Sequence, residues 1–341
     1  MLPLPLALLR VLDLTQTVAG AMATRFLADL GAEVIVVERP GPSLRQAEPA
    51  LFDHLGRNKY ACAIDLSRAE GHEACLRLAA ACDLVFVDAD DAGLDLDYAE
   101  FAAARPDVIC VRIAVGVDRP GLGVGAAAAA LTALFHRRAT GEGGQVDVSF
   151  PRLAASLQSA AIAAASLPAG QAGAGLSTPL PDLSPSGCYG CADGAIAVVV
   201  RSQEQVGALA RAIGRRTELV EGVREALAGW LAGRPAGEAA AALLAAGVAA
   251  QPLLDLEAVV ADPHLRAAGF FEPVAQAGGA VREMEGVAYR FSATPAHVRL
   301  PPPAFGEHTD VVLRDLAGLS AEAVAALRAA GAVAGSAPGT Q

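Results

Sequence analysis

Several groups of side chains in this 341-residue chain have types and spacings that could do chemistry. Asp118 stands between an apolar run ending at Val115 and the stretch Gly121-Leu122-Gly123-Val124-Gly125. By residue type, Asp118-Arg119-Pro120-Gly121 is a turn in which Asp caps a helix that takes Pro in its first turn. The same residues also hold a carboxylate at a strand end beside a glycine-rich helix start. Gly121-x-Gly123-x-x-Ala126, with Asp147 downstream, matches the fingerprint of a nicotinamide dehydrogenase, but at a fifth βα turn rather than a first. Cys188-Tyr189-Gly190-Cys191 has the CxxC spacing of redox or zinc sites, yet no second CxxC and no neighbouring His accompany it. A turn entering a strand accounts for it without a ligand. Arg39 and Lys59 are cations beside apolar runs, either solvated surface charges or anion contacts, and Asn58 suits a turn.

The elements that must position these residues alternate. Strands are expected over 8–14, 33–38, 62–66, 84–87, 108–115 and 145–149, and helices over 20–30, 69–81, 98–105 and 126–138. Gly31 follows the first helix as a C-cap residue. Alternation of this kind predicts a parallel sheet with covering helices, a Rossmann-like layer structure. A Pro-, Gly- and Ser-rich stretch over 168–185 reads as a linker. Beyond it, a strand over 195–200 and helices over 203–213, 219–231 and 237–246 predict a smaller α+β domain. A second Pro-rich linker over 300–303 precedes a tail with a helix over 321–330. The domains are accordingly set at 1–180, 186–298 and 299–341.

Composition narrows the function. Hydrophobic residues make up 53% and charged residues 18%, a globular balance, while the 4% aromatic content points to cores built by close packing of Ala and Gly. A net charge of −11 does not attract nucleic-acid phosphates. The six cysteines suggest no secreted disulfide scaffold. The apolar start lacks a basic n-region and is broken by Pro3 and Pro5, and the Ala-rich run over 153–167 is too short to cross a bilayer. A cytoplasmic protein without membrane or nucleic-acid partners is expected.

Segments along nearly the whole chain, in order, resemble the class III CoA-transferases, the family of formyl-CoA transferase, carnitine CoA-transferase and α-methylacyl-CoA racemase. They include Val11-Leu12-Asp13-Leu14 through Leu27-Ala28-Asp29-Leu30-Gly31-Ala32-Glu33-Val34, then Glu38-Arg39-Pro40-Gly41, and Arg57-Asn58-Lys59 with Ile64-Asp65-Leu66. Further matches are Thr140-Gly141-Glu142-Gly143 with Val146-Asp147-Val148-Ser149, Pro185-Ser186-Gly187, Ala261-Asp262-Pro263 and Gly306-Glu307-His308-Thr309-Asp310. The resemblance implies a large Rossmann-like CoA-binding domain, a small domain, a C-terminal segment returning to the large one, and an interlocked homodimer. It implies CoA or acyl-CoA as substrate with a small carboxylic acid as partner, and no metal. It places the nucleophilic carboxylate at Asp118, and CoA contacts at Thr17, Ala19, Arg39, Asn58 and Lys59.

The chain departs from the family's pattern in three places. Asp88-Ala89-Asp90-Asp91-Ala92-Gly93 replaces a neutral-to-basic loop, so carboxylates would face CoA phosphates. The connection between Val115 and Asp118 lacks a Gly-x-Asp or Gly-His-Asp element. None of the six histidines occupies the place of a racemase base, which disfavours racemisation. Alternatives to CoA transfer are therefore a non-catalytic subunit of a hetero-oligomer with an active paralogue, and a relative that has given up CoA for another substrate.

Overall fold

The computed structural model describes residues 3–91, 96–114, 120–166, 185–215, 222–276 and 279–335. Asp118 lies outside them, as do residues 168–184 of the expected linker. The chain forms two compact units, one of Met1–Leu157 with Gly269–Gln341 and one of Gln158–Ala268.

The first unit opens with β1 (Arg10–Asp13), α1 (Val18–Asp29), β2 (Glu33–Glu38), α2 (Leu44–Ala47), α3 (Pro49–Gly56), β3 (Lys59–Ile64), α4 (Ala69–Ala80) and β4 (Leu84–Asp88). It continues with α5 (Tyr98–Ala104), β5 (Ile109–Ala114), α6 (Pro120–Thr140), β6 (Gly144–Ser149) and α7 (Phe150–Leu157). The second unit holds α8 (Ser159–Ser166), β7 (Gly187–Gly190), β8 (Ala195–Val199), α9 (Gln203–Ala212), α10 (Val223–Ala232), α11 (Ala236–Ala245), β9 (Ala249–Leu253), α12 (Leu256–Ala261) and α13 (Pro263–Ala267). The chain then returns to the first unit as β10 (Phe271–Ala275), β11 (Val281–Glu285), α14 (Thr309–Asp315), α15 (Ala321–Ala329) and β12 (Val333–Ala334).

Strands of the first unit form one seven-stranded sheet, in the order β12-β3-β2-β1-β4-β5-β6. Six pair in parallel and only β12 runs antiparallel, against β3. The mixed α/β architecture with a large parallel sheet is thus the one the alternation predicts. Its central strands are buried on both faces, which is why β2 and β4 read as near-continuous apolar runs. Strand order reverses between β1 and β4, the place where open α/β sheets leave a crevice beyond the carboxyl ends of their strands.

One expectation about the glycine-rich stretch needs correcting. The sequence places a helix over 126–138, yet α6 begins at Pro120 and takes Gly121, Gly123 and Gly125 inside it. Pro at the first helical position needs no hydrogen-bond donor, so it starts the helix well. Gly123 is there for packing: a Cβ on it would lie 2.3 Å from the Ala19 carbonyl oxygen and 2.8 Å from Met22 Cβ. A Cβ on Gly125 would lie 2.7 Å from Leu153 Cδ2. Together with Ala19, Ala23, Ala126, Ala127 and Ala130, Gly123 lets α1 and α6 approach closely over one face of the sheet, while Gly125 makes room for Leu153 of α7. The fingerprint reading loses its acidic partner as well, because Asp147 on β6 stands opposite Arg112 on β5 and pairs with it at 3.2 Å.

The third strand is also displaced. It starts at Lys59 rather than at 62, because Lys59 is a buried residue and not the loop cation its type suggests. The C-terminal stretch covers the outer edge of β3, a device that keeps an edge strand from pairing with another chain. His308 donates its backbone N–H to the Ala61 carbonyl at 2.9 Å, and the Ala61 N–H donates to His308 Nδ1 at 3.2 Å. Ala63 N–H donates to Thr309 Oγ1 at 3.0 Å.

In the second unit β7, β8 and β9 form an antiparallel sheet over a core that includes Ile196, Val198, Leu209, Leu227 and Leu243. Cys188 lies within β7 and Cys191 follows it. Three residues of extended chain separate their Cα atoms by about 10 Å, beyond the reach of a disulfide. Among the described residues no helix is long and apolar enough to cross a membrane.

The packing role of Gly123 makes a paired prediction. Gly123→Ala should destabilise the protein by about 1–3 kcal/mol, the usual range for overpacking. Gly121→Ala, with nothing within 4 Å of its added Cβ, should be neutral or slightly stabilising. Urea unfolding of the two variants measures the difference.

Candidate functional site

The crevice beyond the carboxyl ends of β1, β2 and β4 is built on a buried polar cluster. Asp13, the last residue of β1, is buried and accepts from the Thr15 N–H at 3.1 Å, the Thr15 hydroxyl at 2.6 Å, the Thr24 hydroxyl and the Lys59 ammonium at 3.2 Å. Lys59 gives its remaining donors to Thr24 Oγ1 at 2.7 Å and to the Ala21 carbonyl at 3.0 Å. Burial pulls the Lys59 pKa down, and the carboxylate of Asp13 pulls it back up. Gly20 permits the tight wrap of the β1–α1 loop, since a Cβ there would lie 2.1 Å from Thr15 Oγ1.

Above this floor lies a mainly apolar cavity with about 490 Å³ of empty space, walled by Thr15, Gln16 and Thr17 of the loop, Val36 to Glu38 of β2, and Leu44, Arg45, Phe52 and Leu55 of α2 and α3. A more open cleft of about 590 Å³ adjoins it, lined by Arg39, Pro40, Gly41, Ser43, Arg45, Gln46 and Phe305. Arg45 lines both. Its guanidinium lies 4.0 Å from the centre of the Phe52 ring, and its Nε donates to Glu38 Oε1 at 2.7 Å. Glu38 is held from its other oxygen by the Gly306 N–H at 2.9 Å. Arg45 Nη2 is buried without a hydrogen-bond partner among the described residues. A stacked, fixed guanidinium with an unmatched donor is prepared for an anionic oxygen.

The residues implied by the resemblance are placed as follows. Thr17 caps α1, accepting from the Gly20 N–H at 3.3 Å, and Ala19 lies buried in the first turn of that helix. Arg39 follows β2 and pairs with Asp91. Asn58 is buried with φ of 60°, donates to Asp29 Oδ1 at 2.7 Å and accepts from the N–H groups of Arg299 and Leu300. Lys59 faces the cavity floor as described. Thr17 and Lys59 line the apolar cavity and Arg39 the open cleft beside it, whereas Ala19 packs in the core with α6 and Asn58 serves the C-terminal stretch. Arg45 is absent from the sequence expectations. Its signal was faint, a cation two residues after a Ser that precedes a short helix.

In the acidic segment at the end of β4, two carboxylates are engaged by the chain itself. Asp88 accepts from the Gln16 N–H at 2.7 Å and from the Thr17 hydroxyl at 2.8 Å, while Asp91 is engaged by Arg39. Burial pushes the Asp88 carboxyl up to about 6, with Asp13 and Asp91 adding to the rise and the two hydrogen bonds opposing it.

A doubly wound parallel sheet with an anion-adapted crevice at its reversal point defines the class, and the comparisons with known proteins give the family. The sequence matches CoA-transferase family III over residues 6–116 and 117–309, and the chain belongs to that family. It is similar to the succinyl-CoA–D-citramalate CoA-transferase of Chloroflexus aurantiacus, at 28% identity over 96% of this chain and 98% of that one. The 393 aligned positions exceed the 341 residues of this chain, so the relative carries residues with no counterpart here. The succinyl-CoA:glutarate CoA-transferase of Mus musculus is 36% identical over 39% of this chain and 34% of its own. Among solved structures, Rv3272 of M. tuberculosis superposes with a TM-score of 0.73 at 25% identity, covering 91% of this chain and 99% of that one. A CAIB/BAIF family protein from Brucella suis shares the fold, with a TM-score of 0.77 at 23% identity over 92% and 100% of the two chains.

The buried cluster has measurable consequences. Lys59→Met leaves Asp13 buried without its cation and should cost about 3–5 kcal/mol, read by urea unfolding. For Asp88, the folded carboxyl keeps its proton up to pH about 6, whereas an unfolded Asp releases it near pH 3.9. The folded state therefore binds more protons across that window, and stability falls as pH rises through it. Asp88→Asn removes this slope. Between pH 4 and pH 7 the stability difference should move in favour of the variant by roughly 2–3 kcal/mol.

Proposed function

We propose that the chain transfers coenzyme A between carboxylic acids, binding the CoA thioester at the crevice beyond β1, β2 and β4. The observation that carries this reading is a full-length match to a CoA-transferase, over 96% of this chain and 98% of the relative. Two further features support it: the crevice sits at the sheet's reversal point, and Arg45 offers it a fixed, unmatched donor. Thr17 and Ala19 border the ligand through the α1 start and Arg39 through its guanidinium. Lys59 and Asn58 hold the floor and the strand entry beneath. The named substrates of the relatives make succinyl-CoA with citramalate or glutarate the first pair to test.

In the proposed mechanism the Asp118 carboxylate attacks the thioester carbonyl, and the C–S bond breaks to leave a mixed anhydride and the CoA thiolate. The thiolate attacks the aspartyl carbonyl of that anhydride, releasing the first acid and leaving an aspartyl–CoA thioester. The acceptor carboxylate then repeats the two exchanges in reverse order, so no proton or redox partner is needed. A carboxylate nucleophile divides one difficult acyl transfer into easier steps. Backbone N–H groups at the start of α6 are suited to steady the oxyanions. We take the working form to be a cytoplasmic, interlocked homodimer.

A second reading is favoured by the engagement of Arg39, Gln16 and Thr17 by the chain's own carboxylates. On that reading the chain is a non-catalytic subunit beside an active paralogue, or has exchanged CoA for another substrate.

The test is chromatographic assay of acyl-CoA products from succinyl-CoA and each acid. Asp118→Ala should lower turnover by at least about 10³-fold. After mixing with succinyl-CoA alone, the peptide containing Asp118 should carry the mass of CoA. Turnover retained in Asp118→Ala would move the nucleophile elsewhere. No turnover by the unmodified protein, alone or mixed with a paralogue, would leave only the CoA-independent reading.

A further inference from the structure

We infer that the segment from Asp88 to Asp91 is a built-in anionic plug: two of its three carboxylates, Asp88 and Asp91, occupy the groups that the crevice offers to an anion, so a negatively charged ligand enters by displacing them. The inference deepens the proposed function, because it concerns the same crevice, and it adds a control on entry that belongs to this chain's own residues.

Two independent contacts support it. The first lies at the sheet's reversal point. Asp88 ends β4, the neighbour of β1, and its carboxylate meets the loop that leads into α1. One oxygen takes the Gln16 N–H at 2.7 Å and the other takes the Thr17 hydroxyl at 2.8 Å. Thr17 is the cap of a 12-residue helix, so the carboxylate stands at the positive end of the α1 dipole, where a doubly wound fold receives a ligand's anionic group. The second contact is at the end of β2. Arg39 lines the open cleft beside Arg45, and its guanidinium is held by Asp91. Donors that follow two different strands, Gln16 and Thr17 after β1 and Arg39 after β2, are thus matched from one segment, as a bound dianion would match them.

The plug is poised rather than fixed. Around Asp88 stand Asp13 at the end of β1 and Asp91 on its own segment, both repelling its charge. Lys59 of β3 is turned toward Asp13, and Arg39 beyond β2 toward Asp91. Asp88 therefore has dipoles but no cation of its own among these contacts, and burial favours its protonated form at mildly acid pH. Protonation weakens the hold on Gln16 and Thr17, since a neutral carboxyl accepts more weakly than a carboxylate. Anion entry should accordingly be easier at pH 5.5 than at pH 7.5.

The experiment compares the unmodified full-length protein with Asp91→Asn and Asp88→Asn. The first readout needs no ligand: the rate at which phenylglyoxal modifies Arg39, followed by peptide mass spectrometry. Asp91→Asn should raise that rate about fivefold, the effect of releasing a partly screened ion pair. The second readout is calorimetric titration with CoA and, separately, inorganic pyrophosphate. Asp91→Asn should tighten both about fivefold at pH 7.5. The unmodified protein should bind pyrophosphate more tightly at pH 5.5 than at 7.5, and Asp88→Asn should reduce that difference. Equal Arg39 reactivity in Asp91→Asn, or unchanged or weaker anion binding, would overturn the plug. A faster Arg39 reaction with tighter pyrophosphate binding, but no preference for CoA, would keep the plug and overturn the CoA reading. Circular dichroism on each variant separates these outcomes from misfolding, and Asp91→Glu, which restores the charge, should return both readouts toward the unmodified values.

Discussion

Arg57, Asn58 and Lys59 enter β3 with 0%, 1% and 2% of their surfaces exposed, and together they tie β3 to several parts of the first unit. Arg57 reaches Asp29 of α1 at 2.8 Å and Glu285 of β11 at 2.7 Å, with the Gly286 carbonyl at 3.2 Å. Asn58 fastens the backbone of Arg299 and Leu300. Lys59 joins β3 to Asp13 of β1 and Thr24 of α1. The backbone between them turns at Asn58, whose φ of 60° is a left-handed conformation that Asn tolerates better than most residues. Burying two cations this deeply is costly unless nearly every donor is matched, and the carboxylates of Asp13, Asp29 and Glu285 do most of that matching. The first helix, the β10–β11 hairpin and the C-terminal stretch are all held through these few contacts.

The crevice inherits its character from that arrangement. Because Lys59 is anchored to Asp13 and Thr24, the floor is rigid and nearly neutral, and the cavity above it can be lined by Val36, Val37, Phe52 and Leu55. The same logic recurs at the rim. Arg45 is fixed by Glu38 and Phe52, and Glu38 is in turn fixed by the Gly306 N–H. Residues from opposite ends of the chain thus hold one guanidinium in place, and positioning by a second layer of contacts is what a binding site for a fixed anionic group requires.

Much of the architecture was legible because parallel strands buried on both faces leave long apolar runs, as in Glu33–Glu38 and Leu84–Asp88. The ordered family motifs were legible for a related reason, since Gly31, Asn58 and Gly306 all adopt positive φ. What escaped was information carried by contact rather than by local pattern. Lys59 looks like a surface cation until Asp13, 46 residues away, is brought beneath it. Gly121, Gly123 and Gly125 look alike in sequence, yet only the second and third face a neighbour that excludes a side chain. The two-residue β12 has no period to detect, and Arg45 has no motif. In the acidic segment, the charges were evident but their direction was not, because nothing local tells a carboxylate that faces solvent from one that caps a distant helix.

The C-terminal return also sets a limit on how this unit responds to acid. His308 Nδ1 accepts from the Ala61 N–H, so its ring must be neutral at that nitrogen, and burial lowers its pKa below the ordinary value of 6.5. A depressed histidine pKa means that the unfolded chain binds the proton more readily. The stability from this contact is full above pH 6.5 and is lost as pH falls through the lowered value. Asp88 works in the opposite sense, since its raised pKa, about 6, makes the folded state the better proton acceptor below that pH. The two groups sit on opposite sides of β1 in the strand order, one on the covered edge at β3 and one at the reversal point on β4. Mild acid therefore loosens the strap at the edge while it relieves the buried charge at the crevice. The same change in pH that opens the crevice to an anion leaves overall stability less altered than either site alone would suggest.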